Sequence, residues 1–222
     1  MQILGLKPGE GGYRALLWTL VALLVLRPAI EEFGKRPWLL PLFFSFVMLV
    51  SVWSVSKNRR HVIIVAILVL IAVGGEWSRL AGYGFSQLVP GLAAVIALAW
   101  VAMLLAQDVF RDREYISADM IYGGINVYLL VTLAFAAAYQ VQVQLVPGSI
   151  VGLTAESNIG DTLYYSVVTI TTLGYGDILP VSGNARMLAA TEAAFGQLFI
   201  AVLLAKLVAT HISGKSGNDR LS

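Results

Sequence analysis

Long apolar runs separated by short polar segments dominate the chain. Six of these runs come close to the roughly 20 apolar residues that a helix needs to cross the hydrocarbon core of a bilayer. They lie near residues 13–30, 37–56, 60–77, 87–106, 119–141 and 186–210. The third run is the weakest because its continuous apolar part is short. The pattern therefore predicts an all-α membrane protein with six transmembrane helices.

A shorter apolar stretch lies between the last two runs. It reads "DTLYYSVVTITT" and predicts a helix of about three turns that begins at Asp161, a favourable N-cap residue. Such a helix is too short to cross a bilayer. A half-crossing helix followed by irregular backbone is tolerated at membrane depth only where protein or a water-filled cavity surrounds it. We therefore interpret this region as a re-entrant loop.

Composition agrees with a membrane protein and excludes several kinds of site. Of the 222 residues, 58% are hydrophobic and only 13% are charged, against about 25% charged in a soluble domain. Disulfides and thiolate metal sites are excluded because the sequence has no cysteine, and His61 and His211 are too scattered for a metal cluster. The net charge of +2 and the position of the basic residues at the ends of the apolar runs argue against a nucleic-acid partner.

Loop charges predict the orientation in the membrane. The segment "KNRRH" at 57–61 is a short loop with three basic residues and no acid, which is typical of the cytoplasmic side. Both termini are then expected to be cytoplasmic, in a multi-pass protein of the plasma membrane, and residues 142–184 face outward. Arg27 and Pro28 follow the first run where a signal peptide would have small residues, so we interpret that run as a membrane helix.

The segment "TTLGYGD" at 171–177 carries the most specific signal in the sequence. It resembles the selectivity filter of potassium channels, and the preceding "DTLYYSVVTI" resembles the pore helix of channels with a voltage-gated-type pore. The resemblance is specific over about 161–180, moderate over the flanking spans and absent before about 107. It implies that backbone carbonyls replace the hydration shell of K⁺.

The resemblance assigns individual filter residues. The carbonyls of Thr172, Leu173, Gly174 and Tyr175, with the hydroxyl of Thr172 at the inner end, are expected to bind K⁺. Gly174 and Gly176 are expected at positive φ, which costs a non-glycine residue about 1–2 kcal/mol.

Filter support is expected from the pore helix. Tyr164 and Tyr165 stand where many relatives have tryptophans. We expect Tyr164 to donate a hydrogen bond to Asp177, and Thr169 and Tyr165 to brace the filter tyrosine. The alternative is that the tyrosines only pack.

Two carboxylate positions need separate interpretation. Val168 stands where some relatives bury a glutamate, so Asp177 lacks that partner. Glu192 lies inside the last span, where a carboxylate is costly unless partnered. We expect Glu192 to form a structural hydrogen bond behind the filter rather than to bind ions.

The last span carries a candidate hinge and gate. Gly196 falls where the family's inner helix has its hinge glycine, and Gly196, Ile200, Leu204 and Val208 share one helical face. If this face points to the pore axis, Gln197 and Ile200 lie near the cavity, and Leu204 and Val208 narrow the inner mouth. The alternative is that the face contacts lipid.

Four segments follow from this interpretation. Residues 1–106 form a four-helix domain in the position of a voltage sensor, 107–118 a linker or interfacial helix, 119–212 the pore domain and 213–222 a short cytoplasmic tail. The fourth span contains no Arg or Lys, and charge-driven voltage sensing needs several such charges. The linker is equally compatible with a plain solvated loop, and no ligand-binding domain is evident.

The resulting expectation is a homotetrameric potassium channel. Six transmembrane helices, a re-entrant pore helix and a selectivity filter would conduct K⁺ passively, without enzymatic activity or a cofactor. One chain supplies one pore loop, so a closed ring requires four copies. The alternatives are a weakly selective cation channel and a non-conducting scaffold or regulatory subunit. A coupled K⁺ uptake system is disfavoured because one chain of such a protein contains several segments that resemble pore loops, whereas this chain has one.

Overall fold

A computed structural model describes residues 12–33, 39–54, 59–82, 86–111, 118–154 and 156–218. Within these ranges the chain is helical apart from loops and one small β-pair. The helices are α1 (Gly12–Phe33), α2 (Leu39–Ser54), α3 (Arg59–Leu80), α4 (Leu88–Val109), α5 (Ala118–Leu145), α6 (Ile159–Ile170) and α7 (Gly183–Asn218). The strands β1 (Ile150–Val151) and β2 (Leu179–Pro180) pair antiparallel, with Ile150 opposite Pro180.

Four of these helices are long and apolar enough to cross a membrane. They correspond to Arg59–Arg79, Leu88–Val109, Met120–Leu145 and Gly183–Thr210. This confirms an all-helical membrane protein. The third predicted span is among the four because α3 continues to Leu80, beyond its short apolar stretch. The first two predicted spans stay predictions, since the apolar part of α1 is Gly12–Leu26 and α2 has 16 residues.

The most extensive helix–helix contact joins α4 to α5. The side chains that α4 buries are mainly small or branched: Ala93, Ala94, Ala97, Leu98, Val101, Ala102 and Leu105. Small residues let two helix backbones approach closely within a bilayer. A Cβ atom on Gly91 would lie 2.7 Å from the Cγ2 of Val141, which shows how close the two helices are. The four leading helices are therefore attached to the rest of the chain mainly through α4 and α5.

The short helix α6 packs against both α5 and α7. Its N-cap is Asn158, so the prediction that the helix begins at Asp161 was wrong by three residues. The Oδ1 of Asn158 accepts hydrogen bonds from the backbone N–H groups of Gly160 and Asp161, at 2.6 and 3.1 Å. Asp161 in turn accepts from the backbone N–H of Asn158, at 3.1 Å. This is a capping box, in which Asp161 is the third helical residue and supports the cap.

Several predicted boundaries differ from the ends of the helices. Helix α4 continues to Val109, into the predicted linker 107–118, and residues 112–117 of that linker lie outside the described residues. Helix α7 continues to Asn218, so much of the predicted tail 213–222 is helical. The domain assignments, the cytoplasmic termini and the plasma-membrane location stay predictions.

Candidate functional site

Helix α6 ends at its C-cap Thr171 and is followed by a tightly folded stretch, residues 172–177, which we call the 172–177 segment. The backbone N–H of Thr172 donates to the carbonyl of Thr169 at 2.9 Å. The carbonyl of Val168 accepts from the N–H of Leu173 at 3.0 Å and from that of Gly174 at 3.4 Å. Carbonyls at a helix C-terminus have no partner within the helix. Here the following segment supplies those partners, which fixes where residues 172–174 lie relative to α6.

Every second residue of this segment has a left-handed backbone. The φ angles are +58° at Thr172, +61° at Gly174 and +83° at Gly176, whereas Leu173 and Tyr175 between them are not at positive φ. Alternation between the two backbone regions places successive N–H groups on one side of the chain and leaves the carbonyls to the other. A row of carbonyls on one side can coordinate a cation without any charged side chain.

Thr172 was not expected to have this conformation. It is the one non-glycine residue at positive φ in the described part of the chain. The left-handed conformation costs such a residue about 1–2 kcal/mol. Nothing in its residue type distinguishes Thr172 from Thr171, which has φ −79°. The expectation that Gly174 and Gly176 have positive φ is confirmed.

Residues 171–177 are exposed in a single copy of the chain. Leu173 is 56% exposed and Tyr175 is 67% exposed, although both are large and apolar or aromatic. Most of the surface of these two side chains is therefore not in contact with the rest of one copy, and it is accessible to a second protein molecule.

The hydroxyl of Tyr164 donates a hydrogen bond to the Oδ2 of Asp177, at 2.7 Å. This contact was expected from the sequence, and the structure contains it. The bond raises the pKa of Tyr164 above the ordinary value for a phenol, so the hydroxyl keeps the proton that it donates. The contact ties the C-terminal end of the 172–177 segment back to α6. Its importance for filter function stays a prediction.

Tyr165 and Thr169 are engaged with their own helix and with α5. The hydroxyl of Thr169 donates to the carbonyl of Tyr165 at 2.8 Å. The ring of Tyr165 is 4% exposed and packs edge-on against Tyr139 of α5, with 4.6 Å between ring centroids. The expectation that these two residues brace Tyr175 stays a prediction.

Glu192 of α7 is completely buried and hydrogen-bonded, as expected. The hydroxyl of Tyr139 in α5 lies 2.5 Å from its Oε2. The hydroxyl of Ser166 in α6 is hydrogen-bonded to its Oε1 and also lies 2.7 Å from the carbonyl oxygen of Thr132 in α5. Sequence reasoning missed Tyr139, Ser166 and Thr132. The apolar pattern of α5 and α6 gave no signal for them, because their role depends on how three helices meet.

Gly196 is placed where α7 touches the end of α6. A Cβ atom at this position would lie 2.2 Å from the carbonyl oxygen of Ile170 and 2.8 Å from its Cγ1. The hydroxyl of Tyr128 in α5 also donates to the Ile170 carbonyl, at 3.2 Å. The glycine thus permits a close approach between two helices. Its role as a hinge stays a prediction.

The next residue, Gln197, contacts the N-terminal end of the 172–177 segment. Its Nε2 donates a hydrogen bond to the Oγ1 of Thr172, at 3.2 Å, so α7 is linked to this segment by a side chain as well as by packing. Ile200, Leu204 and Val208 follow on the same helix and are half-exposed or more in one copy. Their assignment as a gate stays a prediction.

Comparison with known proteins supports an ion channel. A family model described as "Ion channel" matches residues 127–212. This range contains most of α5, all of α6, the 172–177 segment and most of α7. The chain is also similar to two-pore potassium channel 1 of Arabidopsis thaliana, with 40% identity over 50 residues. That match covers 22% of this chain and 14% of the length of the relative. No solved structure matches the chain significantly.

Proposed function

We propose that this chain is the subunit of a potassium-selective channel that conducts K⁺ passively across a membrane. The observation that carries the proposal is the alternating backbone at Thr172, Gly174 and Gly176, directly after a capped half-length helix. Its position inside the region similar to ion channels supports the assignment. The similarity to a protein named as a potassium channel supports K⁺ as the ion.

The proposed ion ligands are oxygen atoms of the backbone. Removing a cation from water without replacing the water oxygens costs tens of kcal/mol on a Born estimate. The carbonyls of Thr172, Leu173, Gly174 and Tyr175 would supply replacement oxygens, together with the hydroxyl of Thr172. Gly176 would continue the same backbone alternation at the outer end. No cofactor and no enzymatic step are required, since the ion moves down its own gradient.

The proposed channel is a homotetramer. The described residues contain one such segment, and a ring of carbonyls around an ion requires several copies related by a closed rotation. The exposure of Leu173 and Tyr175 in one copy supports a neighbouring subunit at this position. The apolar surface of α7 would provide further contacts to subunits and lipid. Its exposed large residues include Met187, Leu198, Ile200, Val202, Leu204 and Val208.

Gating by a charged voltage sensor is not part of the proposal. The family resemblance expects a sensor helix at the position of α4, but this helix has neither Arg nor Lys between Leu88 and Val109. Each elementary charge that crosses the field contributes about 2.3 kcal/mol per 100 mV. Without such charges the open fraction is expected to depend only weakly on voltage. A steep conductance–voltage relation in the full chain would contradict this part of the proposal.

Ion flux in liposomes tests the proposed function. The purified protein would be reconstituted with a K⁺ gradient and no energy source, and flux would be compared with that of a matched Na⁺ gradient. We expect rapid K⁺ flux and much slower Na⁺ flux. Comparable fluxes would indicate a weakly selective cation channel, and no flux in a correctly assembled protein would indicate a scaffold or regulatory subunit. Chemical cross-linking of the same sample would show whether it is a tetramer.

A further inference from the structure

Glu192 is the most unusual polar residue of the described helices. It is a carboxylic acid that is completely buried inside one copy of the chain. Its cover comes from the chain itself, so assembly of several copies is not needed to bury it. The side chains that contact it come from α5 and α6, which makes it a meeting point of three helices.

The hydrogens available around Glu192 can be counted. Three oxygen–oxygen contacts form a chain: Tyr139 Oη to Glu192 Oε2, Glu192 Oε1 to Ser166 Oγ, and Ser166 Oγ to the carbonyl oxygen of Thr132. Each hydroxyl has one hydrogen to donate, and a carbonyl has none. The two hydroxyls therefore supply two hydrogens for three contacts. The third hydrogen is present only if Glu192 is protonated.

A protonated Glu192 satisfies every contact in the chain. Tyr139 then donates to Oε2, the carboxyl O–H donates to Ser166, and Ser166 donates to the Thr132 carbonyl. An ionised Glu192 would leave Ser166 between two acceptors with one hydrogen. Unpaired buried polar groups are costly, and a half-satisfied network is particularly so.

The electrostatic surroundings agree with this count. Within the described residues the structure shows no ion pair between Glu192 and a Lys, Arg or His side chain. The titratable groups that lie near it are phenols: Tyr128 and Tyr139 of α5 and Tyr165 of α6. A buried carboxylate without a cation carries a large desolvation cost, which the neutral acid avoids.

We propose that Glu192 is held as a neutral carboxylic acid and is, in that form, the positioning residue that joins α5, α6 and α7 behind the 172–177 segment. Glu192 contacts Ser166, and Gly196, one turn further along α7, contacts Ile170, one turn further along α6. The two contacts hold the helices together at successive turns. Thr171 follows Ile170 directly, so a loosened contact would change where the segment begins. This consequence for conduction rests on the proposed function.

Glu192→Gln separates the neutral acid from the carboxylate. A glutamine can accept from Tyr139 through its carbonyl and donate to Ser166 through its amide, which reproduces the hydrogen bonds of the neutral acid. We expect its thermal midpoint to lie within about 2 °C of the original protein. Glu192→Ala leaves both hydroxyls without this partner, and its midpoint is expected to fall by about 5–10 °C. An equal loss of stability in both variants would overturn the proposal.

Infrared difference spectroscopy reads the protonation state directly and does not depend on ion conduction. At neutral pH, the spectrum of the original protein minus that of Glu192→Gln should contain the C=O band of a protonated carboxylic acid. Tyr139→Phe removes one hydrogen bond to the acid and should shift that band. Glu156→Gln, at an exposed position, is a matched control for the spectral effect of replacing a glutamate by glutamine. Carboxylate bands at Glu192 would overturn the proposal.

Ion flux in liposomes is a second, independent test of the role of Glu192. The flux of Glu192→Gln should resemble that of the original protein, whereas Glu192→Ala should lose flux even after correction for folded protein. If the original protein does not conduct K⁺, the proposed function fails, while the infrared and thermal results still decide the protonation of Glu192.

Discussion

Replacement of Gly196 by alanine distinguishes a hinge from a close contact. The added Cβ would lie 2.2 Å from the carbonyl oxygen of Ile170, although such contacts are essentially never closer than 3.0 Å. The obstacle is the backbone at the end of a packed helix, not a flexible side chain. Helix α7 must therefore move away from α6 by nearly an ångström, or the end of α6 must deform.

The expected change in stability follows from two opposing terms. Overpacking of a filled site costs about 1–3 kcal/mol, and a backbone obstacle favours the upper value. Alanine in place of glycine inside a helix contributes about 1 kcal/mol of stability. The net loss is about 2 kcal/mol, or a fall of about 4–8 °C in the thermal midpoint of a chain of this size. A hinge without a close contact would show only the favourable term, so the midpoint would rise.

Thermal unfolding of the purified protein, followed by fluorescence in detergent, measures this difference. Gly74→Ala is the matched control because Gly74 lies inside α3 and a Cβ atom there meets nothing within 4 Å. The control is expected to raise the midpoint by about 2–4 °C through helix propensity alone. A midpoint for Gly196→Ala that equals or exceeds that of the original protein would refute the close-contact explanation.

Three further predictions concern the 172–177 segment. Gly174→Ala places a methyl group at φ +61°, which costs about 1–2 kcal/mol in each chain, and K⁺ flux in liposomes should be lost; normal flux would contradict the filter assignment. Tyr164→Phe removes the 2.7 Å hydrogen bond to Asp177, so current should decline faster under sustained conduction, and an unchanged time course would leave Tyr164 with a packing role only. Gln197→Leu removes the 3.2 Å hydrogen bond to Thr172, with an expected effect of about 0.5–1.5 kcal/mol at the inner end of the segment; the relative permeability of Rb⁺ and K⁺ should change, and an unchanged ratio would show that this bond does not affect ion binding.

The features that sequence reasoning predicted correctly depend on residue type. Positive φ at Gly174 and Gly176 could be expected because glycine alone adopts that conformation without a steric penalty. The contact between Tyr164 and Asp177 could be expected because a hydroxyl and a carboxylate stood at positions that the family resemblance brings together. Burial and hydrogen bonding of Glu192 followed from the cost of a carboxylate inside an apolar span.

The features that it missed depend on tertiary packing or on competition between similar residues. Asn158 and Asp161 are both favourable N-cap residues, and the two arrangements differ by only one turn of helix. The positive φ of Thr172 could not be predicted from its residue type, because the neighbouring Thr171 has negative φ. The close approach of Gly196 to Ile170 was missed because a glycine in a helix is compatible with a hinge as well as with a close contact.

The contacts of α1 and α4 favour an arrangement in which these helices stay packed in place against α5, over one in which α4 moves as a voltage sensor. Asp108, at the end of α4, accepts a hydrogen bond from the hydroxyl of Tyr13 in α1 at 2.6 Å, and Asn126 of α5 donates to the backbone carbonyl of Tyr13 at 2.8 Å. The guanidinium of Arg14 lies 5.3 Å from the centre of the Tyr122 ring in α5, within the range of a cation–π interaction. Sliding of α4 along α5 would disturb the small-residue packing between the two helices. It would also break the contact between α1 and α4, or, if α1 moved with α4, the contacts between α1 and α5. Because α4 also lacks basic residues on which the membrane field could act, we expect α1, α4 and α5 to move as one unit if the proposed pore opens.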